Sequence, residues 1–204
     1  STSVKADETV VPTVKSVTSV TKDDKTKTIT IEFSEPVSFN SIKVGDKFAS
    51  NVVTADNGFG AKWTITSTDD LEVGKTYNIT INGLKDVLGN AATADVTTSV
   101  TVVKDAVKPT FTLKAVGEKT FEIVFDKEMS PTVPVDAINV TKKDANGNTV
   151  TLAQSGLATL KSDKKTFRVT LASVPFDTTE QTSKEISVEV KNLTDILGNV
   201  VEAK

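Results

Sequence analysis

The chain repeats itself, and the repeat limits what it can fold into. Glu8-Thr-Val-Val-Pro12-Thr13 returns as Asp105-Ala-Val-Lys-Pro109-Thr110. Thr28-Ile-Thr-Ile-Glu-Phe33-Ser-Glu-Pro-Val37 returns as Thr120-Phe-Glu-Ile-Val-Phe125-Asp-Lys-Glu-Met129. The third match is the closest: Tyr77-Asn-Ile-Thr-Ile-Asn-Gly-Leu-Lys-Asp86-Val-Leu-Gly89-Asn90 against Ile186-Ser-Val-Glu-Val-Lys-Asn-Leu-Thr-Asp195-Ile-Leu-Gly198-Asn199. Three collinear matches imply two copies of one unit of about 95 residues. We place unit boundaries at 11–103 and 109–204, with residues 104–108 as the linker and residues 1–10 as the linker from a preceding domain of a longer array.

Within each copy the apolar residues recur with period two, the pattern of strands that bury one face. Ile29, Ile31 and Phe33 alternate, as do Trp63 and Ile65, Tyr77, Ile79 and Ile81, and Val96, Val100 and Val102. In the second copy Phe121, Ile123 and Phe125, then Phe167, Val169 and Leu171, then Ile186, Val188 and Val190 do the same. No stretch longer than about two turns carries helical spacing, and threonine and valine dominate where a helix favours alanine and leucine. Seven or so short strands per unit, with turn signals between them, predict an all-β fold of two tandem immunoglobulin-like β-sandwich domains joined by a short linker and lacking the usual disulfide. Asp56-Asn57-Gly58 and Asn146-Gly147-Asn148 supply the turn chemistry of tight hairpins.

The composition removes most catalytic chemistry. With Cys 0 and His 0 there is no Ser-His-Asp or Cys-His nucleophile system and no thiolate or imidazole metal site. Carboxylate pairs alone can run a glycosidase, but two short-looped sandwiches build no deep cleft to raise one carboxyl's pKa. We therefore expect no enzyme and no catalytic residue. The net charge of −3, from 24 basic and 27 acidic residues, pulls the chain toward neither nucleic acid nor an anionic membrane. Basic charge is almost all lysine, Arg168 being the single arginine, which argues against bidentate phosphate readout. No apolar run approaches the ~20 residues that span a bilayer. Lys161, Lys164 and Lys165 flank Asp163 and read as a solvated turn, and Trp63 reads as core.

The Asp-x-Leu-Gly-Asn turns, Asp86 to Asn90 and Asp195 to Asn199, are the most specific feature of the chain. Their chemistry is structural: the aspartate accepts backbone N–H bonds across the turn, the glycine takes positive φ, and Leu88 and Leu197 are expected to plug the end of the sandwich. With the acidic-x-x-x-Pro-Thr start and the strand ending Phe33-Ser-Glu-Pro-Val37, these turns resemble the tandem bacterial Ig-like modules of S-layer proteins from Bacillus-type Gram-positive bacteria. The second copy departs from that pattern at Phe125-Asp-Lys-Glu-Met129. The resemblance implies an extracellular cell-surface location, rod-like tandem organisation, self-assembly with copies of itself into a lattice, a cell-wall polymer bound through other domains, and calcium at domain junctions. An adhesin stalk, or an accessory domain of a secreted polysaccharide-degrading enzyme, shares the fold and stays open as the alternative.

Calcium takes about 6–8 oxygen ligands, and without an EF-hand a seam between two sandwiches is where they can collect. Asp69, Asp70, Asp105, Asp126, Glu128 and Asp195 are the candidates, with Asp23 and Asp24 nearby in the same scheme. The bland alternative is that these are solvated loop carboxylates. Asp144-Ala-Asn146-Gly-Asn148 has the alternating oxygens of an EF-hand loop but places Thr149 and Ser155 where glycine and glutamate are required, so it reads as a hairpin.

Overall fold

The computed structural model describes residues 10–53, 58–176 and 184–204. It divides into two compact units, Ser1–Ala106 and Val107–Lys204. Asp56 and Asn57, and Glu8 of the first repeat segment, lie outside the described residues.

Unit 1 contains β1 (Val14–Thr21), β2 (Lys25–Ser38), β3 (Ser41–Val44), β4 (Lys47–Phe48), β5 (Ser50–Val53), β6 (Gly60–Glu72), β7 (Thr76–Asn82), β8 (Lys85–Asp86) and β9 (Val96–Lys104). One layer runs β1-β2-β6-β5 with β8 beside the end of β2, and the other runs β4-β3-β7-β9. Strand β1 belongs to both. Its first part pairs antiparallel with β2, Val17 opposite Ile31, and its last three residues pair parallel with β9, Ser19 opposite Val102. At the crossing Ser19 is buried and its hydroxyl donates to the Thr28 carbonyl at 2.8 Å, so the polar side chain inside the sandwich is satisfied.

The alternating residues fill the space between the layers. Ile29, Ile31, Phe33, Trp63 and Ile65 from one layer and Ile42, Ile79, Ile81, Val100 and Val102 from the other form a single cluster. Full burial of each such side chain is worth about 1.5–3 kcal/mol, which is why the period-two pattern sets the register. Trp63 is core, and its indole N–H donates to the Gly60 carbonyl at 2.8 Å.

Unit 2 contains β10 (Phe111–Ala115), β11 (Thr120–Phe125), β12 (Ile138–Lys143), β13 (Thr149–Thr151), β14 (Thr159–Leu160), β15 (Thr166–Thr170) and β16 (Ile186–Val190). Its layers are β10-β11-β15-β14 and β13-β12-β16. Phe121, Ile123, Phe125, Phe167 and Val169 meet Ile138, Val140 and Val190 in a second cluster. Each unit is thus an immunoglobulin-like sandwich with its own core, and no described residue is α-helical. The β12–β13 connection is the predicted hairpin: Asp144 accepts the N–H groups of Asn146 and Asn148, both at 2.9 Å, and Gly147 has φ 80°.

One expectation is corrected. Leu88 is 62% exposed and does not close the sandwich. The plugs stand two residues before each aspartate, at Leu84 and Leu193, both fully buried. The turn of unit 1 directs Leu88 outward, and Leu197 is half-buried. Leu84 and Leu193 fall one residue out of phase with the inward alternation of Ile79 and Ile81 and of Val188 and Val190, so the chain must turn just before each of them to bring it inside. The backbone there needs positive φ just ahead of the plug, at Gly83 (74°) and Asn192 (62°). A Cβ on Gly83 would stand 2.2 Å from Asn40 Nδ2, so any other residue there must displace the Asn40 side chain as well as adopt a positive φ.

Candidate functional site

The two Asp-x-Leu-Gly-Asn turns have the same geometry. Asp86 accepts the Asn90 backbone N–H at 2.8 Å and its side-chain amide at 2.9 Å, while the Asp86 N–H donates to the Asn90 carbonyl at 3.1 Å. Asp195 accepts the N–H groups of Leu197 and Asn199 at 2.9 and 2.8 Å and the Asn199 amide at 2.9 Å. Gly89 and Gly198 adopt φ of 88° and 93°. The carboxylate therefore completes the turn from inside, with no ligand needed to close it.

What faces each aspartate differs. Glu35 and Lys127 occupy equivalent places, each two residues after the last phenylalanine of the matched strands. In unit 2 Lys127 Nζ lies 2.7 Å from Asp195 Oδ2, and Asp195 is 2% exposed. Burial pushes the Asp195 carboxyl up, but the Lys127 ammonium and the Asn199 donors outweigh it and hold the group below the usual aspartate range. In unit 1 the partner of Asp86 is another carboxyl. A hydrogen bond to Asp86, reinforced by desolvation and like charge, raises the Glu35 carboxyl above its ordinary value. Burial pushes Asp86 up, yet hydrogen bonds from Asn90 and Glu35 bring it below its ordinary value. The same turn is thus buttressed by an ion pair in one unit and by a carboxyl pair in the other.

The calcium candidates are seated as follows. Asp69 and Asp70 lie within strand β6 and not in a loop, as the sequence scheme had them, and Asp69 Oδ1 pairs with Lys47 at 2.9 Å. Asp105 follows β9, and its N–H donates to the Thr21 carbonyl at 2.8 Å. Asp126 caps the start of β10, accepting the Thr110 N–H at 2.9 Å and its hydroxyl at 3.1 Å; the backbone bond from Thr110 is the main cause of its lowered pKa. Glu128 is exposed. Asp24 pairs with Lys104 at 2.8 Å and Asp23 with Lys22 at 3.0 Å. Within each unit no three acidic side chains gather at one point among the described residues. The donor sets inside the units therefore do not fit calcium, because Asp24, Asp69, Asp126 and Asp195 already hold internal partners.

The sequence reading missed one charged site. Glu122 falls on the outward side of β11, yet it is 4% exposed, covered by Lys161 at 2.9 Å and by Arg168 at 3.1 Å. The register explains it: Glu122 stands opposite Arg168 on β15, which in turn stands opposite Thr159 on β14. The hydrogen bond from Lys161 is the main reason that the Glu122 carboxyl sits below its ordinary value. A lone glutamate in a strand followed by lysine and arginine elsewhere is the only sequence signal, and it fixes no pairing.

Residues 8–103 match a family model described as a bacterial Ig-like domain. The chain is 27% identical over 189 residues to an S-layer protein of Geobacillus stearothermophilus; the match covers 87% of this chain and 15% of that protein. Two crystal structures of the S-layer protein SbsC share 19% identity with it. They cover 91% and 94% of this chain, and 44% and 25% of the solved ones, at TM-scores of 0.36 and 0.39. A titin Ig tandem is 12% identical at a TM-score of 0.24, covering 94% of both chains. Unit 1 is thus similar to bacterial Ig-like domains, and the chain, along most of its length, is similar to an S-layer protein.

Proposed function

We propose that residues 1–204 are a structural module pair of a bacterial surface-layer protein. The observation that carries this reading is the similarity to an S-layer protein over 87% of the chain, more than either unit alone can supply. The geometry supports it, because the most specific motif of the sequence is engaged in closing turns and each unit is a complete core. In this role the units act as bricks: the sandwiches hide the apolar faces, and the threonine- and lysine-rich outer faces make polar contacts with copies of the same protein in an extracellular lattice. The role is structural and not catalytic.

Calcium stiffening of the junction is carried with this proposal as a separate question. A calcium titration that raises the melting temperature of the pair supports it, and an unchanged melting temperature removes it. Immunogold labelling of intact producing cells with antibodies against residues 1–204 tests the location: dense label over the whole surface is expected. Label confined to the cytoplasm overturns the reading. Capture of a polysaccharide or host ligand by the purified pair would favour the binding-module alternative.

A further inference from the structure

Five consecutive residues of unit 2, Asp126 to Ser130, join the segment where the chain enters the unit to the Asp-x-Leu-Gly-Asn turn. On the entry side the Asp126 carboxylate accepts the Thr110 N–H at 2.9 Å and its hydroxyl at 3.1 Å, and the Asp126 N–H donates to the Thr110 carbonyl at 3.1 Å. On the turn side the Ile196 N–H donates to the Glu128 carbonyl at 3.1 Å, and the Ser130 N–H donates to the Thr194 carbonyl at 2.9 Å. Lys127 reaches both sides. Its Nζ lies 2.7 Å from Asp195 Oδ2 and donates to the Val107 carbonyl at 2.6 Å.

Val107 is 66% exposed and Lys108 is exposed, so burial does not fix the chain there. Lys108 precedes a proline, which restricts it to extended backbone, and Pro109 is buried with its φ locked by the ring. Holding the Val107 carbonyl fixes the planar peptide that also carries the Lys108 N–H, and the path from Val107 to Thr110 follows from it. Asp195 braces the arrangement. Its carboxylate, fixed in turn by Leu197 and Asn199, places an ammonium that has further protons to give. Unit 1 is built differently, because Glu35 occupies the place of Lys127 and a carboxylate has no proton to give to the carbonyl of Val10, the counterpart of Val107.

We propose that Lys127 is a positioning residue for the linker: braced by Asp195, it clamps the Val107 carbonyl and makes residues 107–109 a fixed part of unit 2, so that the chain enters the unit along one path. The aspartate turn of unit 2 thereby has a task beyond its own closure, which the turn of unit 1 lacks. This inference does not depend on the surface-layer reading.

Nitrogen-15 relaxation of the whole chain tests this at the Lys108 amide, well below the melting temperature. We expect an order parameter of about 0.85 there in the wild type, as in rigid backbone, and a value below about 0.6 in Lys127→Met. The Thr110 amide, which Asp126 holds, and the Ile123 amide in β11 should keep their wild-type values in that variant. Lys127→Arg restores the charge and the donors, and should return most of the order at Lys108. Unchanged order at Lys108 in Lys127→Met overturns the proposal. Equal loss at Lys108, Thr110 and Ile123 also overturns it, making Lys127 a stabiliser of the whole unit and no more. A wild-type value below about 0.6 at Lys108 overturns it without any variant, which keeps the test decisive should Lys127→Met fail to fold.

Discussion

Replacing Lys127 by methionine removes the charge that faces Asp195 while keeping most of the apolar stem. The Asp195 carboxylate is 1% exposed and the Lys127 side chain 17%, with 2.7 Å between nitrogen and oxygen. Removing one partner of a buried pair costs about 3–5 kcal/mol because the other charge is stranded. Here Asp195 keeps the bonds from Leu197 and Asn199, so we expect a loss at or below the lower end of that range, about 2–3 kcal/mol. At about 4–8 °C per kcal/mol for a domain of this size, the melting temperature of unit 2 falls by at least about 8 °C. The assay separates the units cleanly: the only Trp and Tyr, Trp63 and Tyr77, are in unit 1, so fluorescence follows that unit while calorimetry records both. Asp195 has a depressed folded pKa, so its contribution is present above the unfolded value near pH 4 and is lost as pH falls through the folded one. The gap between wild type and Lys127→Met should therefore be full at pH 7 and shrink in strong acid. A loss below about 0.5 kcal/mol at pH 7, typical of an exposed pair, or a gap independent of pH, refutes the reasoning.

Glu35 gives the opposite sign: its raised folded pKa stabilises unit 1 fully below the unfolded value near pH 4.3, and this contribution is lost as pH rises through the folded value. The Trp63 midpoint of wild type relative to Glu35→Gln should therefore fall between pH 4 and 7; a constant difference would refute the carboxyl pair. Leu84→Ala and Leu193→Ala should each cost about 2–5 kcal/mol, against less than about 0.5 kcal/mol for exposed Leu88→Ala, measured by denaturant unfolding. Gly83→Ala meets both the positive φ and Asn40, and should lower the unit 1 midpoint by at least about 1 kcal/mol. Asn192→Gly, at the matching position of unit 2, should change stability by no more than a few tenths of that.

The strands and cores were legible in the sequence because burial on one face of a strand leaves a period-two trace, as in Ile29, Ile31 and Phe33. The aspartate turns were legible for a similar reason: Asp, Gly and Asn have few other local uses at that spacing. Three features left no such trace. The passage of β1 from one layer to the other depends on a parallel partner some 80 residues away, and Ser19 looks like any outward serine. The burial of Glu122 comes from Lys161 and Arg168 on neighbouring strands, which alternation alone assigns to solvent. The exchange of Glu35 for Lys127 was visible as a departure between the repeats, but its meaning required knowing that both face the turn aspartate. Asp69 and Asp70 were misplaced in a loop because two adjacent charges look like a turn, whereas β6 continues through them to bury Leu71.

The role proposed for this pair of sandwiches is that of building material in a surface lattice. Electron microscopy of the polypeptide that carries residues 1–204, purified and on the envelope of the cells that make it, tests that most directly. The account predicts a periodic two-dimensional array decorated by antibodies to these residues. A dispersed protein that forms no array under any calcium concentration would contradict it.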